Sequence, residues 1–250
     1  MTTRAAAPPA AIAFARGPFA AGGVVILDGE EAHHLRVLRV GDGAVIRLVD
    51  GCGAVATARL ALERELVAAR VVAATVVAPP PVTELLVGAG DRDRFLMVVE
   101  KAAELGATKV VPIVTERSSQ VATRFLAVHV EKAVRRAREA VKQCGAAWAP
   151  AVVAPVALSE ALRTAPPGAL RFVADEDGGP LPLVREADAV QWAIGPEGGF
   201  SEAERAAAKA AGFRPVALGR VTLRFDTAAL AALALTAQAR LGSPVQGGVA

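Results

Sequence analysis

The sequence predicts a mostly parallel α/β sheet preceded by a small β-barrel. Three observations carry this. A triple proline, Pro79-Pro80-Pro81, divides the chain; prolines cannot continue a sheet and form a stiff spacer. Before it, short apolar runs are separated by glycine and aspartate turns. After it, strand-like runs alternate with stretches of helical period, the pattern of a parallel α/β sheet. Domains are therefore expected at residues 1–78 and 79–250.

In the first part, Val24 to Leu27, Ala44 to Val49, Val55 to Leu62 and Leu66 to Val77 read as strands. The second is bracketed by Gly-Asp-Gly and Asp-Gly hairpin signals. Glu30 to Arg39 reads as a short helix with Leu35 and Leu38 on one side, and a barrel with one helix fits the pattern. His33-His34 reads as a helix start with one partly buried ring, since no acid or nucleophile stands beside it in sequence. In the second part, Leu85 to Val87, Lys109 to Val114, Ala151 to Ala154, Leu170 to Ala174, Trp192 to Ile194 and Val216 to Leu218 read as strands. Asp91 to Leu105 reads as a helix stopped by Gly106, Thr123 to Gln143 as a long basic helix, Ser159 to Arg163 as a short one, and Ala228 to Arg240 as the last. Asp226 or Thr227 is expected to cap that final helix.

Composition bounds the function. With 250 residues, 53% of them hydrophobic, the chain buries a proper core. The formal charge is only +3, so any nucleic-acid site must be a local patch. Of the 28 basic residues 23 are arginine, the residue that binds phosphate bidentately and stacks. Cys52 and Cys144 form neither a metal spacing nor a disulfide framework, and His33, His34 and His129 give no zinc pattern. Thr227 to Ala239 is too short to span a bilayer, and the start of the chain is a poor signal peptide, so a cytoplasmic protein with no membrane partner is expected.

Two glycine loops suggest where a ligand sits. Trp192 to Ile194 ends in Gly195-Pro196-Glu197-Gly198-Gly199, and Ser201 with Glu204 forms an S-x-x-E capping box behind it. Val216 to Leu218 opens at Gly219 into Arg220-Val221-Thr222-Leu223-Arg224. Neither loop is a Walker or dinucleotide fingerprint. Together with the end of Phe172-Val173-Ala174 they place three strand termini at one edge, where open α/β sheets bind ligands. Main chain and apolar side chains there suit a purine-and-sulfonium ligand better than a triphosphate.

GPEGG with S-x-x-E, followed by LGRVTLR-x-D-T-A, resembles the small-subunit ribosomal RNA uridine-N3 methyltransferases of the SPOUT superfamily. EKAAELGATKVVPIVTERSS (Glu100 to Ser119), EAVKQCG (Glu139 to Gly145) and HHLRVLRVGDG (His33 to Gly43) are similar to further parts of that family. The resemblance covers nearly all of residues 24–241. It implies a trefoil-knotted SPOUT domain behind an N-terminal PUA-like RNA-binding barrel, a homodimer, and S-adenosylmethionine as cofactor. The cofactor residues it implies are Phe172, Val173, Ala174, Ile194, Gly195, Gly198, Gly199, Leu218, Gly219, Val221 and Leu223. Arg224, Asp226 and Glu197 become the catalytic candidates: either carboxylate accepts the uridine N3 proton while Arg224 or Arg117 holds developing charge. Arg117 reads equally as a phosphate contact, Asp226 as a helix cap and Glu197 as a bond to loop amides. His34, Arg36, Arg39, Arg117 and Gln143 are the implied RNA contacts. Small-subunit rRNA, free or within the assembled small subunit, is the implied partner. The chain departs from the family in three places. Ala146 stands where arginine is usual, Lys142 where glutamate is usual, and Phe225-Asp226 where Thr-Glu is usual. A SPOUT enzyme acting on another RNA, or a knotted RNA-binding protein without catalysis, are the competing readings.

Overall fold

The computed structural model describes residues 9–63 and 66–241. The chain forms two compact units. One comprises the described residues up to Pro79 together with Val141–Trp148; the other comprises Pro80–Ala140 and the described residues from Ala149 onward.

The first unit holds β1 (Ile12–Phe14), β2 (Val24–Ile26), α1 (Gly29–Val37), β3 (Val45–Val49), β4 (Ala54–Leu62) and β5 (Val67–Val76). The sheet order is β1-β3-β4-β5-β2, antiparallel except for the β1–β3 pair. The strands alternate as half-buried strands do. Ile46, Leu48, Leu60 and Val71 face a core that also takes Leu35 of α1. Strand β1 was not foreseen, because three residues in an alanine-rich stretch carry almost no periodic signal.

Helix α1 starts where Asp28 accepts a hydrogen bond from the Glu31 amide at 2.9 Å. It stops at Val37, short of the predicted Arg39. Arg39 takes φ +56°, and the amides of Arg39 and Val40 bond back to Arg36 and Leu35, closing a Schellman turn with arginine where glycine is usual. The histidines lie in the helix's second half and not at its start; His33 is exposed and His34 half-buried. Glu31 turns inward. Its Oε1 accepts from Lys142 Nζ at 2.7 Å, its Oε2 accepts from the Phe14 amide at 3.1 Å, and both partners of the ion pair are nearly inaccessible, 7% for Glu31 and 5% for Lys142. Trp148 Nε1 donates to the carbonyls of Val77 and Ala78, and the Gly53 amide donates to Ala147. These bonds explain why Val141–Trp148 belongs with this unit although its sequence continues a helix of the other.

The second unit contains β6 (Val82–Gly88), α2 (Arg92–Glu104), β7 (Lys109–Val114), α3 (Val130–Cys144, to Ala140 in this unit), β8 (Ala151–Val152), β9 (Val156–Ala157), α4 (Leu158–Ala161), β10 (Leu170–Gly179), β11 (Ala189–Ile194), α5 (Glu202–Ala210), β12 (Arg214–Val216) and α6 (Phe225–Arg240). Every strand pairing is parallel, in the order β12-β10-β11-β6-β7-β8, with β9 also on β7. The predicted helix start at Thr123 is wrong by a turn or two. Thr123 Oγ1 donates to Asp91 Oδ2, the Arg92 amide donates to the Thr123 carbonyl, and Phe125 stacks on Phe95 at 4.3 Å. That stretch is spent on the start of α2, so α3 begins only at Val130.

One row of side chains crosses four strands. Arg171, Gln191, Glu84 and Lys109 are register partners on β10, β11, β6 and β7. Arg171 Nε donates to Gln191 Oε1 at 3.0 Å, Gln191 Nε2 donates to Glu84 Oε2 at 2.9 Å, and Lys109 Nζ reaches Glu84 Oε1 at 3.3 Å. Burial lowers the Arg171 pKa from its ordinary value, and its remaining donors go to the carbonyls of Leu162 and Ala211. A one-residue slip of any strand would strand these groups, so the row pins the register. Gln191→Leu should therefore lose about 1–3 kcal/mol in urea unfolding, the usual cost of leaving buried polar groups unpaired.

Candidate active site

Because all the strands run parallel, their C-terminal ends share an edge, and β12, β10 and β11 are neighbours there. A cavity of about 270 Å³ opens at this edge, close to the lower end of the range for small-molecule sites.

Strand β10 does not stop at Ala174 as predicted. It runs to Gly179 with an irregularity in which both Ala174 and Gly179 pair with Val216. The excursion between them puts Asp175 and Glu176 into the cavity wall. Neither was picked out from the sequence, although Asp-Glu-Asp-Gly-Gly carries a turn signal. Glu176 accepts from Thr222 Oγ1 at 2.6 Å, which ties the excursion to the loop after β12. Asp175 lies 4.0 Å from Arg205 Nε.

Strand β11 ends at Ile194 and the glycine loop follows. A Cβ on Gly195 would sit 3.0 Å from Gly199 Cα and from the Phe200 amide nitrogen, so the loop closes on itself there. Gly199 has φ +68°, and its amide donates to the Pro196 carbonyl at 2.8 Å. Ser201 and Glu204 form the capping box the sequence predicts. The same Glu204 accepts from the Glu116 amide at 2.8 Å, and Arg117 Nη1 donates to the Gly198 carbonyl, so the Glu-Arg-Ser-Ser loop is docked on the glycine loop. Glu197 Oε1 accepts from the Asp91 amide at 2.7 Å. Asp91 caps α2, and the Thr123 hydroxyl and the Arg94 amide hold its carboxyl below the usual aspartate range.

The last helix begins earlier than predicted. Phe225 is its first residue and Arg224 its N-cap, with no side-chain cap bond. Asp226 is thus not the cap. It sits buried in the first turn, where its Oδ2 accepts from Arg94 Nη1 at 2.9 Å; the Arg94 side chain is 42% exposed and that of Asp226 only 9%. Strand β12 ends at Val216, two residues before the predicted Leu218, which leaves Leu218 in the loop.

The structure therefore brings together most of the residues singled out from the sequence. Ala174, Ile194, Gly195, Glu197, Gly198, Gly199, Leu218, Gly219, Val221, Leu223 and Arg117 all line the cavity. Phe172 and Val173 do not. They are core residues in mid-strand, with Phe172 against Trp192 at 5.0 Å and Val173 in the cluster around Phe200 and Phe213. Arg224 and Asp226 flank the lining residue Phe225 without lining the cavity, and Arg224 is exposed. In the first unit Arg36, Arg39 and Gln143 are exposed.

A family model described as an RNA methyltransferase domain matches residues 78–237, and one described as an RNA methyltransferase PUA domain matches residues 27–72. Ribosomal RNA small subunit methyltransferase E of Synechocystis sp. is 31% identical over 223 residues, covering 84% of this chain and 71% of that protein. The chain belongs to the ribosomal RNA small subunit methyltransferase E family. The methyltransferase E of Mycobacterium bovis is 30% identical over 229 residues, 85% of each protein. Among solved structures, the methyltransferase E of Neisseria gonorrhoeae bound to S-adenosyl methionine superposes with a TM-score of 0.83 at 29% identity, covering 91% of this chain and 97% of that one. A putative methyltransferase from Legionella pneumophila, in complex with the same cofactor, gives 0.80 at 28% identity, with the same coverage. The first unit is PUA-like and the second is a SPOUT-type α/β domain.

Proposed function

We propose that this protein transfers a methyl group from S-adenosylmethionine to N3 of a uridine in small-subunit ribosomal RNA. The observation that carries the reading is the cavity itself. Its walls are the end of β11 with its glycine loop, the excursion in β10 and the loop after β12, with main chain exposed at Gly195, Gly198, Gly199 and Gly219, apolar flanks at Ile194, Leu218 and Leu223, and charge of both signs at Asp175, Glu176, Arg117 and Arg205. That set fits an adenosyl group carrying a zwitterionic tail. The cofactor supplies an electrophilic methyl carbon, and uridine N3 is its acceptor once the N3 proton has left.

The chain's own residues do the rest. The peptide groups of the three loops hold and orient the cofactor. Arg224, exposed beside the cavity, holds charge developing on the carbonyls that flank N3. Either candidate acid takes the N3 proton: Glu197 lines the cavity with its Oε1 on the Asp91 amide, and Asp226 lies behind Phe225 with its Oδ2 on Arg94. Arg36, Arg39, His34 and Gln143 of the PUA-like unit and Arg117 of the other bind the RNA. The working form is a homodimer in the cytoplasm, acting on free rRNA or the assembled small subunit. No helix among the described residues is long and apolar enough to cross a membrane.

The test uses small-subunit RNA and small subunits from cells that lack the mark, incubated with the protein and methyl-labelled S-adenosylmethionine. Nucleoside mass spectrometry should show 3-methyluridine. A label found on another base or another RNA, or on none, would overturn the reading. Arg224→Ala should slow transfer about tenfold with cofactor affinity unchanged, since an exposed guanidinium stabilises less than a buried donor.

A further inference from the structure

The outer face of the first unit's sheet carries three arginines that no acid neutralises among the described residues. Arg59 on β4 and Arg70 on β5 are direct register partners, which sets their Cα atoms about 5 Å apart. Like charges placed opposite each other on a sheet are destabilising. Both are exposed, and no ion pair reaches either among the described residues; Arg59 Nη1 only approaches the Gly43 carbonyl at 3.4 Å. Val45 on β3 completes their row, and Arg47 is two residues along the same face of β3, diagonal to Arg59, roughly 7–8 Å away. Arg47 Nε is buried without a hydrogen-bond partner. Its Nη1 lies 3.7 Å from where a Cβ on Gly145 would be. Three guanidinium groups without an acid partner among the described residues, one of them with its Nε buried and unbonded, are an arrangement that costs stability unless a polyanion covers it.

We propose that Arg47, Arg59 and Arg70 form a track for the phosphodiester backbone of the substrate RNA, an inference that rests on the reading of RNA as substrate. Arginine forks on a sheet face position a backbone without reading its sequence. Arg47 extends the track toward the Val141–Trp148 segment, where its Nη1 approaches Gly145.

Full-length protein would be titrated with small-subunit rRNA across a salt series, with binding read directly and not through methyl transfer. Arg59→Gln with Arg70→Gln should lower the slope of log affinity against log salt by about 1.5, because each lost phosphate contact removes roughly 0.7–0.9. Affinity near 150 mM salt should fall about tenfold. Arg47→Gln should lower the slope by a further 0.7–0.9 or so. Lysine at 59 and 70 should keep most of the slope. Thermal midpoints at or above the wild-type value, as relief of the repulsion predicts, and unchanged cofactor affinity would show that the fold is intact. A wild-type slope in the glutamine variants would overturn the track. So would a loss seen only on assembled subunits and not on naked RNA, which would assign the face to a ribosomal protein. Wild-type protein that binds through the track yet transfers no methyl would overturn the proposed reaction and leave the track standing.

Discussion

Lys142→Glu should cost the first unit about 3–5 kcal/mol, the usual effect of leaving a buried charge without its partner. The Glu31 carboxylate is nearly inaccessible, and its Oε1 depends on Lys142 Nζ at 2.7 Å. A second carboxylate at 142 would replace attraction by repulsion in a place water does not reach. The exchanged pair, Glu31→Lys with Lys142→Glu, should recover a large part of the loss, and the double-mutant cycle isolates the coupling. Urea unfolding followed through Trp148 reports this unit, since the other tryptophan, Trp192, lies in the α/β unit. A Lys142→Glu protein as stable as wild type would show that the pair contributes nothing.

Gly195→Val should weaken S-adenosylmethionine binding by more than about 100-fold, or 2.7 kcal/mol, while shifting the thermal midpoint by only a few degrees. The cause is the loop's own backbone. A Cβ at Gly195 meets Gly199 and Phe200 at 3.0 Å, and both branches of valine would force apart the turn that presents the peptide groups. Gly199 answers to a different constraint. Nothing lies within 4 Å of its Cβ position, but φ is +68°, which asparagine tolerates far better than a β-branched residue. Gly199→Asn should therefore bind the cofactor within a few fold of wild type, and Gly199→Val should not. Isothermal calorimetry separates the two. Tight binding by Gly195→Val would mean that the cofactor does not use this loop.

The sequence carried the fold where signals were local and strong. The Ser201–Glu204 capping box and the Gly106 stop could be read directly, because each is a backbone requirement written in a few residues. The cavity was legible for the same reason, since glycines at strand ends mark exposed main chain. What could not be read depends on distant partners. The start of α3 moved because Thr123 and Phe125 are engaged by α2. Asp226 is not the cap because the helix already starts at Phe225, and its carboxylate goes to Arg94, 132 residues away in sequence. The excursion in β10 is set by its pairing with Val216, which no local pattern announces. Phe172 and Val173 were assigned to the cofactor by similarity, whereas the pleat of β10 turns them into the core.

The loops around the cavity are fastened to one another through Glu197 on the Asp91 amide, Arg117 on the Gly198 carbonyl and Glu176 on Thr222. The proposed grip, built mainly from peptide groups, would be largely blind to side-chain identity. Over evolutionary time such a site can exchange many of its surrounding side chains and keep its ligand. Changes that bend the main chain, gains or losses of glycine and proline above all, are the ones selection should notice.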